Sequence, residues 1–374
     1  MTSSQFIASP YQRFLESGNI TCQSPSNIAL VKYWGKRNVQ IPENTSISFT
    51  LDSCRTTTTL YFEKKETTSE TFDFQVYLDG KREVSFEPKI AKFFERIEDY
   101  IPFLKVYTFK IETSNSFPHS SGIASSASGM SALAFCLVEL EKQMLAKPIK
   151  KETTAKIAST ILTTEDYFKK KTSFLSRLGS GSASRSLEGP MMIWGQHEDI
   201  NNSSNDYAIQ HSEIHDIFKD YQDTILLVDK GEKQVSSTVG HELMHGHPFA
   251  EQRFLQAQEN MKTILTILKD GDLISFINLV ESEALTLHAM MMTSNPYFIL
   301  MKPNTLEIIN KIWNFRKISN FNLCFTLDAG ANVHLLYPKN EAAETLQFIK
   351  TELVAYCKNG EYLCDNVGLG ARLI

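Results

Sequence analysis

The chain has 374 residues, enough to bury a large core and to divide into two lobes. Its 38 Lys and Arg against 43 Asp and Glu give a net charge of −5, with the basic residues scattered, so no nucleic acid or anionic membrane partner is expected. No apolar run nears the roughly 20 residues of a membrane span, and no basic segment followed by an apolar run opens the chain, so neither a membrane anchor nor a signal peptide is expected.

Residues 20–34 begin with a short polar strand and a turn at Ser24, Pro25, Ser26 and Asn27, followed by an apolar run that Lys32 interrupts. A lysine in such a run either snorkels or faces a cavity. Tyr33, Trp34 and Gly35 then form an aromatic wall at a turn, with Lys36 and Arg37 just beyond, a combination that suits an anionic ligand. Residues 46–51 alternate polar and apolar and read as a strand with one wet face. Residues 56–62 form a Thr-rich strand, and 72–78 a third that Asp79-Gly80 closes as a hairpin. Residues 88–101 read as a helix with Ile90, Phe93, Phe94 and Ile97 on one face, and 106–112 as a strand. The pattern predicts an α+β half, an antiparallel sheet with helices on one side.

That strand feeds a small-residue loop holding Ser120, Ser121, Gly122, Ser125, Ser126 and Ser128. The apolar positions after it, Met130, Leu133, Ala134, Leu137 and Val138, fit one face of a helix. Small side chains let a ligand approach the backbone, and a helix start offers unpaired N–H groups, so this loop is a candidate phosphate cradle. It is neither a Walker A loop nor a dinucleotide fingerprint, since both closing patterns are missing.

A polar-faced helix is expected over 151–170, and then a second Ser/Gly cluster, 176–186, carries Arg177 and Arg185. Hydroxyls, backbone N–H groups and a guanidinium together suit a carboxylate or a diphosphate. Strands are expected at 191–194 and 224–228, a third hydroxyl cluster at 233–238, and helices at 249–269, 272–289 and 304–317. The strand 323–327 ends at Asp328, in a turn before the returning strand 333–337. Asp328 there is either a turn residue or a partly desolvated base or phosphate-facing acid. A helix over 341–357 closes the chain.

His241-Glu-Leu-Met-His245 matches the zinc-protease pattern, with Glu281 or Glu283 as a distant third ligand. Gly240 precedes it, and Gly246 and Pro248 stop the helix where a zinc-binding helix continues, so surface histidines on a polar helix are the better reading. His288 reads as a satisfied core histidine. The six cysteines form no C-x-x-C pair and indicate reduced thiols.

Together, 26–37 with its Lys32-Tyr-Trp-Gly-Lys36, the loop 115–129, Gly179-Ser-Gly-Ser-Ala-Ser-Arg-Ser186, Val235-Ser-Ser-Thr238 and Thr326-Leu-Asp-Ala-Gly330 resemble the motifs of mevalonate diphosphate decarboxylases, in the GHMP kinase superfamily. The resemblance implies a two-lobed GHMP-kinase-like α+β fold with a deep cleft between lobes 1–190 and 191–374. It implies that ATP with Mg2+ phosphorylates the 3-hydroxyl of mevalonate 5-diphosphate, and that phosphate and CO2 then leave to give isopentenyl diphosphate. It assigns Asp328 to the hydroxyl, Lys32 to the reacting phosphate, and Arg185 to the substrate carboxylate. Asn27, Tyr33, Trp34, Gly35 and Lys36 line the substrate site. The resemblance also implies that Ser180, Gly181, Ser182, Ala183, Ser184, Ser237 and Thr238 meet the diphosphate and that Ser120, Ser121, Gly122, Ser125 and Ser126 take the ATP phosphates. No protein metal ligand is implied, and a cytoplasmic homodimer is. The chain departs from the pattern at Ala331, where a proline is usual, and at Ser184, where a cysteine is common. The family's diphosphate-binding arginine has only Lys89 or Arg82 to stand in. The alternatives are a relative acting on the 5-monophosphate or stopping at phosphorylation, a zinc peptidase, and a non-catalytic binding protein.

Overall fold

The computed structural model describes residues 3–8, 11, 13–67, 69–118, 123–145, 164–229 and 237–374. Two long strands run through it, β1 (Ser17–Val31) and β4 (Ser46–Lys64), antiparallel along their length. Between them a small hairpin pairs β2 (Lys36–Arg37) with β3 (Ile41–Pro42). The far half of β4 pairs with β7 (Tyr107–Asn115) and its near end with β8 (Met191–Trp194), which in turn pairs with β9 (Ile209–His211). The hairpin of β5 (Asp73–Leu78) and β6 (Lys81–Arg82) completes one end of the sheet, and β14 (Arg372–Leu373) pairs with β1 at the other.

This sheet is mixed rather than purely antiparallel, because β5 lies parallel to β7. The chain between them crosses over through helix α1 (Glu87–Ile97), and a crossover of that kind returns a strand in the parallel sense. Asp79 and Gly80 both take positive φ in the expected hairpin turn. Helices α2 (Ser125–Leu145) and α3 (Glu165–Gly179) pack with α1 on the sheet, and Ile20, Leu60, Phe62, Phe93, Phe94, Leu133 and Leu137 share that core. Burying a side chain of this size contributes roughly 1.5–3 kcal/mol.

The second lobe holds a four-stranded antiparallel sheet, β10 (Gln222–Leu226), β11 (Cys324–Thr326), β12 (Val333–Tyr337) and β13 (Tyr362–Asn366), in the order β11-β12-β10-β13. A short helix α4 (Ser237–Glu242) precedes the long helices α5 (Ala250–Asp270), α6 (Leu273–Met292) and α7 (Pro303–Ser319). The core of this lobe takes in Ile28, Leu30, Val31, Ile47 and Phe49 with Ile225, Met261 and Phe276. Thus β1 and β4 each contribute one half to the first core and the other half to the second, and the lobes are joined through them. The first sheet also keeps β8, β9 and, from the end of the chain, β14.

The turn expected at Ser24–Asn27 is extended strand instead, with a register shift between Pro25 and Asn27. The polar residues there bond outward while the backbone stays paired: Ser24 Oγ lies 2.5 Å from Ser131 Oγ, and Ser26 Oγ donates to Ile123 O at 2.6 Å. The separate strands expected at 46–51 and 56–62 are one strand with a bulge. Its unpaired N–H groups at Asp52, Ser53 and Cys54 all donate to the Asp365 carboxylate of β13, at 3.0, 2.8 and 2.7 Å. The closing helix is broken into helix α8 (Ala342–Phe348), a π-turn at Ile349–Leu353 and a 3-10 turn at Val354–Tyr356. The part of the expected 151–170 helix before Thr164 lies outside the described residues.

Candidate active site

Lys32 follows directly on β1, where the strand leaves the shared core for the cleft. It is 2 % exposed, and its Nζ lies 2.9 Å from Asp328 Oδ1. Its peptide is clamped: the N–H donates to Glu283 Oε2 at 2.8 Å, and the carbonyl accepts from Asn44 Nδ2 at 3.0 Å. Glu283 of α6 also accepts from Arg253 of α5, at 3.0 Å from Nη1, and from Asn260 Nδ2 at 2.6 Å. A buried carboxylate stays charged only when paired and hydrogen-bonded, and this one uses its oxygens to fix the lysine's backbone.

Asp328 leaves β11 in the turn to β12. The His288 ring donates from Nε2 to the Asp328 carbonyl at 3.1 Å, and the Gly330 N–H reaches the same oxygen at 2.7 Å. Burial pulls the His288 imidazole down to about 4, so the ring that holds the carbonyl is neutral. Thr305 Oγ1 donates to Ala331 O at 2.7 Å, and Asn332 Oδ1 accepts from the Asp229 N–H at 2.9 Å. The turn is therefore fixed from three sides, with Ala331 itself held through its carbonyl.

Arg185 stands at the end of a 3-10 turn, Gly181–Arg185, and is buried against Trp194. Nε donates to Ser48 Oγ at 3.0 Å and Nη1 to Ser46 Oγ at 2.7 Å, both on β4. Burial draws the guanidinium down to about 10, with Asp328 opposing, so it remains charged at neutral pH. Asn27 Nδ2 holds this turn through Ser182 O at 3.1 Å and Ser186 Oγ at 2.7 Å.

These groups line one cleft of about 650 Å3 with Tyr33, Trp34, Lys36, Lys89, Ser125, Ser126, Ser180, Gly181, Ser182 and His241. Among its described lining residues, Lys32, Lys36, Lys89 and Arg185 face a single carboxylate, Asp328. Burial lowers the Lys36 ammonium and raises the Tyr33 phenol, which stays protonated. Asn27 Oδ1, Tyr33 Oη and Trp34 Nε1 are buried without a partner among the described residues, a costly arrangement unless a polar ligand or water meets them. Ser125 and Ser126 open α2, as a phosphate cradle requires, and Ser126 Oγ lies 3.5 Å from Ser180 Oγ. The other end of the cleft is apolar, lined by Val76, Leu78, Ile90, Ile111 and Leu133.

Not every expected residue faces this space. Arg177 turns away, donating from Nε to Asp206 O and from Nη1 to Val39 O, both at 2.8 Å, and so ties down the β2–β3 hairpin. Ala183 is in the core of the first lobe, and Ser184 Oγ donates to Gly181 O at 2.8 Å. Gly35 is set by backbone: at φ +93°, a Cβ would meet the Phe254 ring at 2.7 Å. Lys89 lines the cleft; Arg82, on the β5–β6 hairpin, does not, and it pairs with Glu87 of α1. Ser120, Ser121 and Gly122 lie outside the described residues, as do 231–236 and the side chains of Ser237 and Thr238.

The zinc pattern dissolves. The helix stops at Glu242, His241 Nδ1 accepts from the Gly35 N–H at 3.0 Å, and His247 Nε2 sits 3.0 Å from Met290 O. Among the described residues no three His, Cys, Asp or Glu side chains gather as a metal site. Glu283, Arg253 and Asn260 have no motif to reveal them; their only sequence signal is charge and amide within apolar helices.

Residues 24–206 match the family model of the diphosphomevalonate decarboxylase-like N-terminal domain, and residues 224–367 that of the mevalonate 5-diphosphate decarboxylase C-terminal domain. A diphosphomevalonate decarboxylase of Ganoderma lucidum is 27 % identical over 367 residues, covering 93 % of this chain and 84 % of its own. The crystal structure of a mevalonate diphosphate decarboxylase from Legionella pneumophila is 29 % identical, covers 92 % of this chain and 100 % of its own, and superposes with a TM-score of 0.73. A further structure, 24 % identical with a TM-score of 0.77 over 95 % of this chain and 98 % of its own, was solved in complex with MVAPP, AMPPCP and magnesium. That last likeness bears on the fold.

Proposed function

The chain belongs to the diphosphomevalonate decarboxylase family, and from that membership we propose how the residues of the cleft divide the work. It is an enzyme that uses ATP to decarboxylate mevalonate 5-diphosphate to isopentenyl diphosphate, releasing ADP, phosphate and CO2. The observation that supports the residue assignment is the cleft's charge pattern: four cations around one carboxylate that touches Lys32 at 2.9 Å.

In this reading Asp328 orients the substrate's 3-hydroxyl and accepts its proton. A tertiary alcohol is a crowded, weak nucleophile, so a fixed carboxylate beside it lowers the barrier. Lys32 neutralises charge on the transferring phosphoryl group while its contact keeps Asp328 aimed. Arg185 holds the carboxylate that becomes CO2, with the guanidinium face not used by Ser46 and Ser48. Loss of the new phosphate leaves an electron-poor carbon, and the C–C bonding pair of the departing carboxylate closes the double bond. Ser125, Ser126 and Ser180 with the start of α2 take the ATP phosphates, and the apolar end of the cleft suits the adenine. Mg2+ would be held by the Ser125 and Ser126 hydroxyls and Asp328 together with the nucleotide, because these line the cleft with the oxygen donors that a hard cation takes. When bound, it neutralises phosphate charge.

Lys89 is the cation assigned to the 5-diphosphate. With wild type turning over mevalonate 5-diphosphate, Lys89→Ala is expected to raise KM for that substrate by about tenfold and leave KM for ATP unchanged, the loss of one charge-assisted contact. An unchanged substrate KM, or turnover only with the 5-phosphate, would remove the diphosphate from this end of the cleft. No described helix is long and apolar enough to cross a membrane. A cytoplasmic homodimer completes the proposal; six unpaired thiols, five of them buried, support a reducing compartment, and the dimer rests on the family resemblance.

A further inference from the structure

The histidine that opened the discarded zinc pattern has a place in the cleft. His241 is 7 % exposed, and its ring lies against Tyr33 and Trp34, with centroids 4.2 and 4.6 Å away. The approach is made possible by glycines on both sides: a Cβ on Gly240 would meet the Trp34 ring at 2.6 Å, and Gly35 brings its N–H to within 3.0 Å of His241 Nδ1. Because a peptide N–H can only donate, Nδ1 is an acceptor, and the ring proton sits on Nε2. No protein acceptor for Nε2 is found among the described residues, and the ring lines the cleft with Lys32, Arg185 and Asp328. Burial, with Lys36 and Arg185 adding to it, pulls the imidazole down to about 3. His241 is thus neither a metal ligand nor a base; toward the cleft it offers one neutral donor, next to two cations that favour an anion.

We propose that His241 Nε2–H donates a hydrogen bond to an anionic oxygen of the substrate, making His241 a specificity-determining residue for this phosphorylated hydroxy acid. The inference rests on the decarboxylase reading given above. The donor is fixed before the reaction and meets an oxygen that is already charged in the bound substrate, so the bond acts chiefly on binding.

The test uses two variants that separate the ring's two nitrogens. Asparagine can keep the acceptor for Gly35 but loses the reach of Nε2; glutamine keeps a donor near the Nε2 position but loses the acceptor. His241→Asn is expected to raise KM for mevalonate 5-diphosphate about 10- to 100-fold, the usual range for a hydrogen bond to a charged group, with kcat within about threefold of wild type. His241→Gln is expected to stay within about threefold in both constants. Inhibition by isopentenyl diphosphate, which lacks the carboxylate, locates the contact. Where KM is raised, unchanged inhibition of His241→Asn places the contact on the carboxylate end, and weakened inhibition places it on the diphosphate. The reverse order, His241→Asn near wild type and His241→Gln impaired, would mean that the ring only holds Gly35, and would overturn it. If His241→Asn does not fold, impaired substrate binding in a folded His241→Gln overturns it equally. A wild-type protein without ATP-dependent turnover would instead sink the parent reading, so the two failures are distinct.

Discussion

Asp328→Ala is expected to lower kcat by about 1,000-fold, with KM for both substrates within a few-fold of wild type. The carboxylate is a quarter exposed, lies 2.9 Å from Lys32 Nζ, and is the only one among the described residues lining the cleft. In the proposed division of roles, its loss removes the group that orients and deprotonates the hydroxyl, while Arg185, Lys36 and the serines assigned to the substrates remain. The lysine is 2 % exposed and loses its counter-charge in the same variant, so Asp328→Asn is the control. It keeps a polar partner for Lys32 and removes only the charge and basicity. Both variants are expected to fall together in steady-state assays, with substrate affinity retained in direct binding measurements. Near-normal turnover in either would refute the role of Asp328.

The second large effect is expected at Arg185. Arg185→Gln should lower kcat/KM by about 100-fold or more, most of it through weaker substrate binding, since a guanidinium gripping a carboxylate makes charge-assisted bonds worth about 1.5–3 kcal/mol each. Arg185→Lys is not expected to rescue it. The native side chain is braced by Ser48 at 3.0 Å and Ser46 at 2.7 Å through two different nitrogens, and a lysine cannot hold both serines and still present a planar fork. Steady-state kinetics with mevalonate 5-diphosphate decide this, and a Lys variant equal to wild type would show that charge alone is needed there.

The readable parts of the sequence were those governed by neighbours along the chain. The helix face Ile90, Phe93, Phe94 and Ile97 is buried as its spacing implies, and Asp79-Gly80 makes the hairpin its residue types favour. Ser125 does open a helix, and Lys32, Arg185 and Asp328 do share one cleft. What was hidden depends on distant partners. Ser24 to Asn27 has turn composition, but hydroxyl bonds to Ser131 and Ile123 let it remain a strand. Arg177 and Arg185 look alike in their cluster, yet only the fold decides that one braces the hairpin through Asp206 and Val39 while the other faces the ligand space. Glu283 fixes Lys32 from 251 positions away, and no local pattern encodes such a pairing. His241 was hidden by a motif match, because the helix needed for zinc binding ends one residue later.

The most direct measurement is a coupled assay of the purified wild-type protein with Mg-ATP, offering mevalonate 5-diphosphate and mevalonate 5-phosphate separately and following ADP and CO2 together. Equal amounts of ADP and CO2 with the diphosphate, and neither with the monophosphate, is the predicted result. ADP without CO2, or CO2 released only from the monophosphate, would contradict it and leave the fold with a different reaction in its cleft.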